Sequence, residues 1–273
     1  MRIWLFVAII ALVLGVASPA LAVSSGGSGG ARTDQTNRYF SAGGVTSRYH
    51  LYAAGLDWSK PVGLLVYADG SGEYGLAHPT SSYLLGGSNG LVAVAKRHNM
   101  VLLTPRAPGA ACSAGGVCWH ETSSGISAAA KTRWSYDLVR SVKGQYNIDL
   151  ARVAVGGYSS GAQWAMQRFA PAYASSVMVD GVFVGISFGG QPISTPTFTA
   201  GHKLNVPYVW DTGDRDGAYT TTASYGVRAG RRWYQSNGFT TELHVVSGTG
   251  HARAGEFGSI VSREITQHVR PAG

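Results

Sequence analysis

Residues 151–164 read Ala-Arg-Val-Ala-Val-Gly-Gly-Tyr-Ser-Ser-Gly-Ala-Gln-Trp, and this stretch restricts the fold more than any other. Residues 152–155 form a short apolar and β-branched run, the pattern of a strand buried on both faces. The run breaks at Gly156-Gly157 and restarts as a helical pattern over 162–167. Between them lies Gly157-Tyr158-Ser159-Ser160-Gly161, a G-x-S-x-G motif in a strand–turn–helix setting. So tight a turn holds its serine in strained backbone, and the flanking glycines leave room because they lack a Cβ. The Ser159 hydroxyl then stands at the end of the sheet, where the first turn of the helix aims its N–H groups. Ser160 also carries a hydroxyl, but only Ser159 is centred between the glycines. In a chain with 38 glycines the motif alone is weak, and the flanking strand and helix give it meaning.

The rest of the chain continues the alternation. Buried strands are predicted at 62–67 and 100–104 and further strands at 182–188, 206–210 and 241–246, with helices at 90–98, 128–146, 227–236 and 257–269. The looser alternation of 47–54 reads as an antiparallel edge strand. Strands and helices in turn from 62 onward imply an α/β protein, a mostly parallel central sheet with helices on both faces. A length of 273 residues suits a single domain. Functional loops of such sheets gather at the carboxyl ends of the strands.

The N-terminus reads as an export signal over 1–22: Arg2, an apolar run over 3–16, then Ala20-Leu21-Ala22 as a small-x-small cleavage site. A flexible Ser/Gly-rich leader is expected over 23–40 and the folded domain over 41–273. No later stretch is long and apolar enough to span a bilayer, so the mature chain is expected to lack a transmembrane segment. In an exported chain the two cysteines, Cys112 and Cys118, read as a disulfide closing a small loop. The formal net charge of +8 is spread along the chain, without a basic run interleaved with aromatics. That favours attraction to an acidic cell envelope over nucleic-acid binding.

A serine hydroxyl is a poor nucleophile unless a neighbouring base takes its proton and a third group orients the base. Among eight histidines, His251 follows a predicted strand in a Gly-rich loop and is the expected base, with His78 and His120 as loop alternatives. Asp216, on the loop after the 206–210 strand, is the expected acid. Asp214 competes with it, and Asp211 is expected to hydrogen-bond the turn. An oxyanion needs two preorganised N–H donors. One is expected from Ser160 and the other from Gly70 or Ser71, in the glycine-rich loop after the 62–67 strand. Trp119, His120 and Tyr158 are expected to line the acyl or alcohol pocket. This chemistry calls for no metal and no organic cofactor.

The order Ser159, Asp216, His251 resembles that of the α/β-hydrolase superfamily, whose triads run Ser, Asp, His along the chain. The stretch from Tyr146-Asn147-Ile148-Asp149 through Arg152-Val153-Ala154-Val155 to Gly157-Tyr158-Ser159-Ser160-Gly161-Ala162 is similar to the Y-x-I-D-x-x-R-V-x-V-x-G-x-S-x-G-[GA] pattern of secreted esterases grouped with polyhydroxybutyrate depolymerases and feruloyl esterases. Cys118-Trp119, Gly213-x-x-Asp216 and Gly250-His251 resemble further motifs of that group. Asp69-Gly70 departs from it, standing where the group often has His-Gly. The resemblance implies an α/β-hydrolase fold and a secreted serine esterase acting on a small-molecule or polymeric ester. Two other readings stay open at this level: acyl transfer to envelope sugars or lipids, and a non-catalytic envelope-binding protein on the same fold.

Overall fold

A computed structural model describes residues 23–113 and 115–272; the export signal expected over 1–22 lies outside the described residues. Eight strands form one sheet. They are β1 (Gln35–Ala42), β2 (Val45–Tyr52), β3 (Val62–Ala68), β4 (Met100–Pro105), β5 (Ile148–Tyr158), β6 (Gly181–Ile186), β7 (Tyr208–Gly213) and β8 (Thr241–Val246). Their spatial order is β1-β2-β4-β3-β5-β6-β7-β8. The β1–β2 and β2–β4 pairs are antiparallel, and every other pair is parallel.

The helices in chain order are α1 (Tyr74–Ala77), α2 (Leu91–Arg97), α3 (Ala128–Gln145), α4 (Ser160–Gln163), α5 (Ala170–Val177), α6 (Ala200–Asn205), α7 (Gly217–Thr220), α8 (Val227–Ser236) and α9 (Phe257–His268). Side chains alternate across each strand, so one strand feeds two cores. On one face Leu64, Val66, Val155 and Phe183 pack with Trp134 and Leu138 of α3, Val177 of α5 and Tyr234 of α8. On the other face Leu65, Tyr67, Ala154 and Val184 meet Leu91 and Val94 of α2 and Ile260, Val261 and Ile265 of α9. This is the expected mostly parallel sheet with helices on both faces.

Three local readings change. The strand expected at the edge, β2, is covered by β1, whose side chains are largely exposed and gave no hydrophobic signal. The leader expected to be flexible is docked along the start of β5 and the end of α3. Leu150 N–H donates to Val23 O at 2.8 Å, Ser25 N–H to Ile148 O at 2.8 Å, and the Tyr146 hydroxyl to Ala31 O at 2.7 Å. Its glycines serve close approach: a Cβ on Gly27 would lie 2.4 Å from Tyr146 O. The helix after Ser159 is also irregular, because a π-helical turn, Trp164–Phe169, separates α4 from α5. Such turns recur beside functional sites, where they shift side chains without breaking the helix.

Candidate active site

β5 carries Ser159 to the carboxyl end of the sheet, and the chain reverses there into α4. Ser159 has φ 51° and ψ −113°, a left-handed conformation costly for a residue with a Cβ. The surrounding backbone enforces it. Ser159 N–H donates to Ile186 O of β6 at 2.9 Å, and a Cβ on Gly161 would sit 2.0 Å from Ala68 O. Only glycine at 161 lets the new helix pass so near the end of β3.

Ser159, His251 and Asp216 meet at this rim. His251 Nε2 is 2.9 Å from Ser159 Oγ, and His251 Nδ1 lies 3.0 and 3.1 Å from the two Asp216 carboxylate oxygens. Asp216 is buried while the His251 side chain is 41% exposed, so the imidazole faces solvent with the Asp216 carboxylate beneath. Burial pushes the Asp216 carboxyl up, but hydrogen bonds from His251, Ala218 N–H and the Thr212 hydroxyl outweigh it and hold the group below the usual carboxylate range. An ionised Asp216 fixes the His251 tautomer that leaves Nε2 free to accept a proton.

The competing residues are engaged elsewhere. Asp214 accepts from Gly248 N–H at 2.8 Å and the Ser247 hydroxyl at 3.2 Å, tying the β7 and β8 loops together. Asp211 does not cap its turn as expected. Its carboxylate is fully buried between Arg253 and Arg263. His78 bonds Tyr74 O at 3.0 Å through Nδ1. His120 lies 3.2 Å from Ser160 Oγ and 3.1 Å from Glu121 Oε1, away from the Ser159 hydroxyl.

The N–H groups of Ser160 and Ser71 have no hydrogen-bond partner among the described residues. Gly70 differs, because its N–H donates to Asp69 Oδ1 at 2.7 Å. Asp69 Oδ2 accepts from Gly75 N–H at 2.9 Å, so the buried carboxylate braces the loop after β3 from within. Burial raises this carboxyl to about 6, against the two N–H bonds that favour its ionised form. Of the two expected loop donors, Ser71 is the one left open.

Trp119 is not a pocket residue. It is fully buried, with its ring 5.2 Å from that of Trp164, and its backbone N–H donates to Ser160 Oγ at 2.8 Å. The Ser160 hydroxyl therefore anchors the cysteine loop, while its backbone N–H remains open. Cys112 and Cys118 are bonded as a disulfide, with Cα atoms 6.0 Å apart, immediately before Trp119. Tyr158 does reach the site, its ring 5.4 Å from His251 and 4.8 Å from Phe257.

Two aromatic residues near the site escaped the sequence reading. The Phe188 ring stands edge-on to His251 at 6.3 Å and stacks on the exposed Tyr225 at 5.8 Å. Phe188 follows the carboxyl end of β6, and that position was the available signal. Because the Ser160 hydroxyl only anchors a loop, Ser160→Ala is expected to leave kcat for an ester within about threefold of the parent. Thermal or denaturant unfolding should register a loss of about 1–3 kcal/mol, from the buried Trp119 N–H left unpaired. A collapse of kcat at full stability would contradict that assignment.

This sheet order, with the serine turn after β5, is an α/β-hydrolase fold. Among solved structures the chain is similar to a thermostable esterase, with TM-score 0.56 and 14% identity, covering 85% of this chain and 62% of that one. This chain thus spans less than two thirds of that esterase. A carboxylesterase from Mesorhizobium loti matches with TM-score 0.56 and 17% identity over 80% of this chain and 94% of that one. A feruloyl esterase module from Clostridium thermocellum, complexed with sinapinate, matches with TM-score 0.55 and 13% identity, covering 87% and 88%. At these identities the likeness concerns the fold. No protein-family model and no curated protein matches the chain.

Proposed function

We propose that the protein is a secreted serine esterase. The observation that carries the reading is the continuous hydrogen-bonded line from Ser159 Oγ through the His251 imidazole to the buried Asp216 carboxylate. The fold's company of esterases is consistent with it.

In this reading Ser159 Oγ attacks the ester carbonyl carbon as its proton passes to His251 Nε2. The tetrahedral oxyanion is held by the N–H groups of Ser160 and Ser71. Collapse expels the alcohol, which takes the proton from His251, and leaves an acyl group on Ser159. Water then gives a proton to His251 as it attacks the acyl carbon, and collapse breaks the bond to Ser159 Oγ, which takes that proton back as the acid leaves. Tyr158, Phe188 and Tyr225 offer an apolar surface beside the imidazole for the acyl or alcohol group. The half-exposed imidazole favours substrates that approach from an open surface.

Export is supported by the N-terminal signal pattern and by the disulfide. Among the described residues no helix is long and apolar enough to cross a membrane. The net charge of +8 supports attraction to an anionic envelope. A fluorophosphonate probe is expected to label the folded chain once, at Ser159, as mapped by peptide mass spectrometry. Folded protein that takes up no probe would overturn the proposal.

A further inference from the structure

Outside this site, two carboxylates and two imidazoles converge where β8 meets α9. Glu242 and His244 are two apart on a strand and share a face, and Glu264 and His268 are four apart on a helix and share a face. Neither pair hydrogen-bonds or ion-pairs with Ser159, Asp216 or His251.

Their polar atoms are close without being satisfied. His268 Nε2 lies 3.2 Å from Glu242 Oε1 and 3.5 Å from Glu264 Oε2, and His244 Nε2 lies 3.6 Å from Glu242 Oε2 and 3.6 Å from Glu264 Oε1. Yet Glu264 Oε2, His244 Nε2 and His268 Nε2 are all buried atoms with no hydrogen-bond partner. The Glu264 side chain is wholly buried, so its free oxygen has no water to turn to. Acceptor atoms facing one another at such distances repel unless a cation or a well-aligned proton sits between them.

We propose that Glu242, Glu264 and His268 form a Zn2+ site. Ligand atoms of Glu242, Glu264 and His268 lie within 4.8 Å of one another. A tetrahedral zinc with bonds of about 2.1 Å holds its ligand atoms about 3.4 Å apart, close to the 3.2 and 3.5 Å from His268 Nε2 to Glu242 Oε1 and Glu264 Oε2. An imidazole with two carboxylates suits zinc, whereas calcium and magnesium take six or more oxygens. The outer groups are also in place. Arg263 donates to Glu264 Oε1 at 2.6 Å and leaves Oε2 for the metal, and Gln267 donates to Glu242 Oε2 at 3.2 Å. The other candidate cluster, Cys112, Cys118 and Glu121, is disqualified because its sulfurs are bonded to each other. With three protein ligands the zinc keeps one position for water, in a site that rests on both elements. It would staple β8 to α9 across the intervening loop, residues 247–256, that carries His251. The sequence reading expected no metal because the serine chemistry needs none, and these side chains come from two segments some twenty residues apart.

The test uses the full chain, stripped with a chelator and titrated with ZnCl2 by calorimetry, and then with Co2+ by visible spectroscopy. Expected are one Zn2+ per chain, the intense bands of tetrahedral Co2+, and a rise in Tm of about 5–10 °C at a hundredfold excess over Kd. His244→Gln with His268→Gln, at partly exposed positions, should lower affinity at least tenfold and leave ester hydrolysis by the metal-free chain unchanged. Glu264→Gln should weaken binding as well. Absence of binding, or equal binding by the double variant, would overturn the proposal. So would binding abolished by His251→Gln instead, which would place the ion in the proposed active site.

Discussion

Ser159→Ala is expected to lower kcat for a p-nitrophenyl ester by about 10⁵–10⁶-fold while leaving Tm within a degree or two. Deleting the nucleophile from a serine–histidine–aspartate unit forfeits nearly all the acceleration the unit supplies. A factor of 10⁶ corresponds to about 8 kcal/mol of transition-state stabilisation. Stability should hold because Ser159 occupies its left-handed conformation through backbone contacts, the Ile186 carbonyl on one side and Gly161 on the other. Alanine suffers the same strain. Asp216→Asn should cost about 10⁴-fold, since an amide at that position turns the imidazole to the wrong tautomer. Adding His251→Ala to Ser159→Ala should reduce the rate little further, because the three groups act as one. Steady-state kinetics on the three variants decide it. A Ser159→Ala protein that keeps more than about one per cent of parental kcat would exclude covalent catalysis by this serine.

Arg253→Met is expected to be the most damaging substitution to stability among those that leave the proposed catalytic groups intact, at about 3 kcal/mol. Arg253 and Asp211 are both almost fully buried and paired with each other, two residues beyond His251. Removing the guanidinium leaves a buried carboxylate with only Arg263, whose half-exposed side chain reaches one oxygen at 2.8 Å. Breaking one partner of a buried pair is costly because the other charge stays out of water. For a chain of this size the loss corresponds to a Tm lower by roughly 6–12 °C. Removing both charges, Arg253→Met with Asp211→Leu, should recover most of it, since an apolar pair carries no desolvation penalty. A single variant that loses less than about 1 kcal/mol, or a double variant no better than the single, would show that the pair does not brace this loop.

The sequence was most informative where the chain's own covalent chemistry makes the choice. Apolar runs located β3 to β7 to within a few residues because those strands are largely buried beneath the helices, whereas β8 is half-buried to exposed. The G-x-S-x-G turn placed Ser159 because only glycine permits the approach to Ala68. Asp216 and His251 followed from their positions after strands. Misreadings arose where a long-range partner sets a residue's role. β1 has an exposed, polar face and exists because it pairs with β2. The Gly-rich leader looked mobile, yet its glycines let it lie against Tyr146. Trp119 looked like a pocket residue, and its indole is packed on Trp164.

Local pattern, then, was enough for the layered α/β architecture, the strained serine turn and the order of the three polar residues. Burial and backbone geometry are written in side-chain size and hydrophobic period, which neighbours in the chain share. Folding in three dimensions alone tied Asp214 to Gly248 N–H, turned Gly70 N–H inward to Asp69, and set Glu242 and His244 against Glu264 and His268. Those outcomes depend on distances of a few ångströms between residues remote in sequence, and a hydrogen bond or a metal contact is decided at that scale.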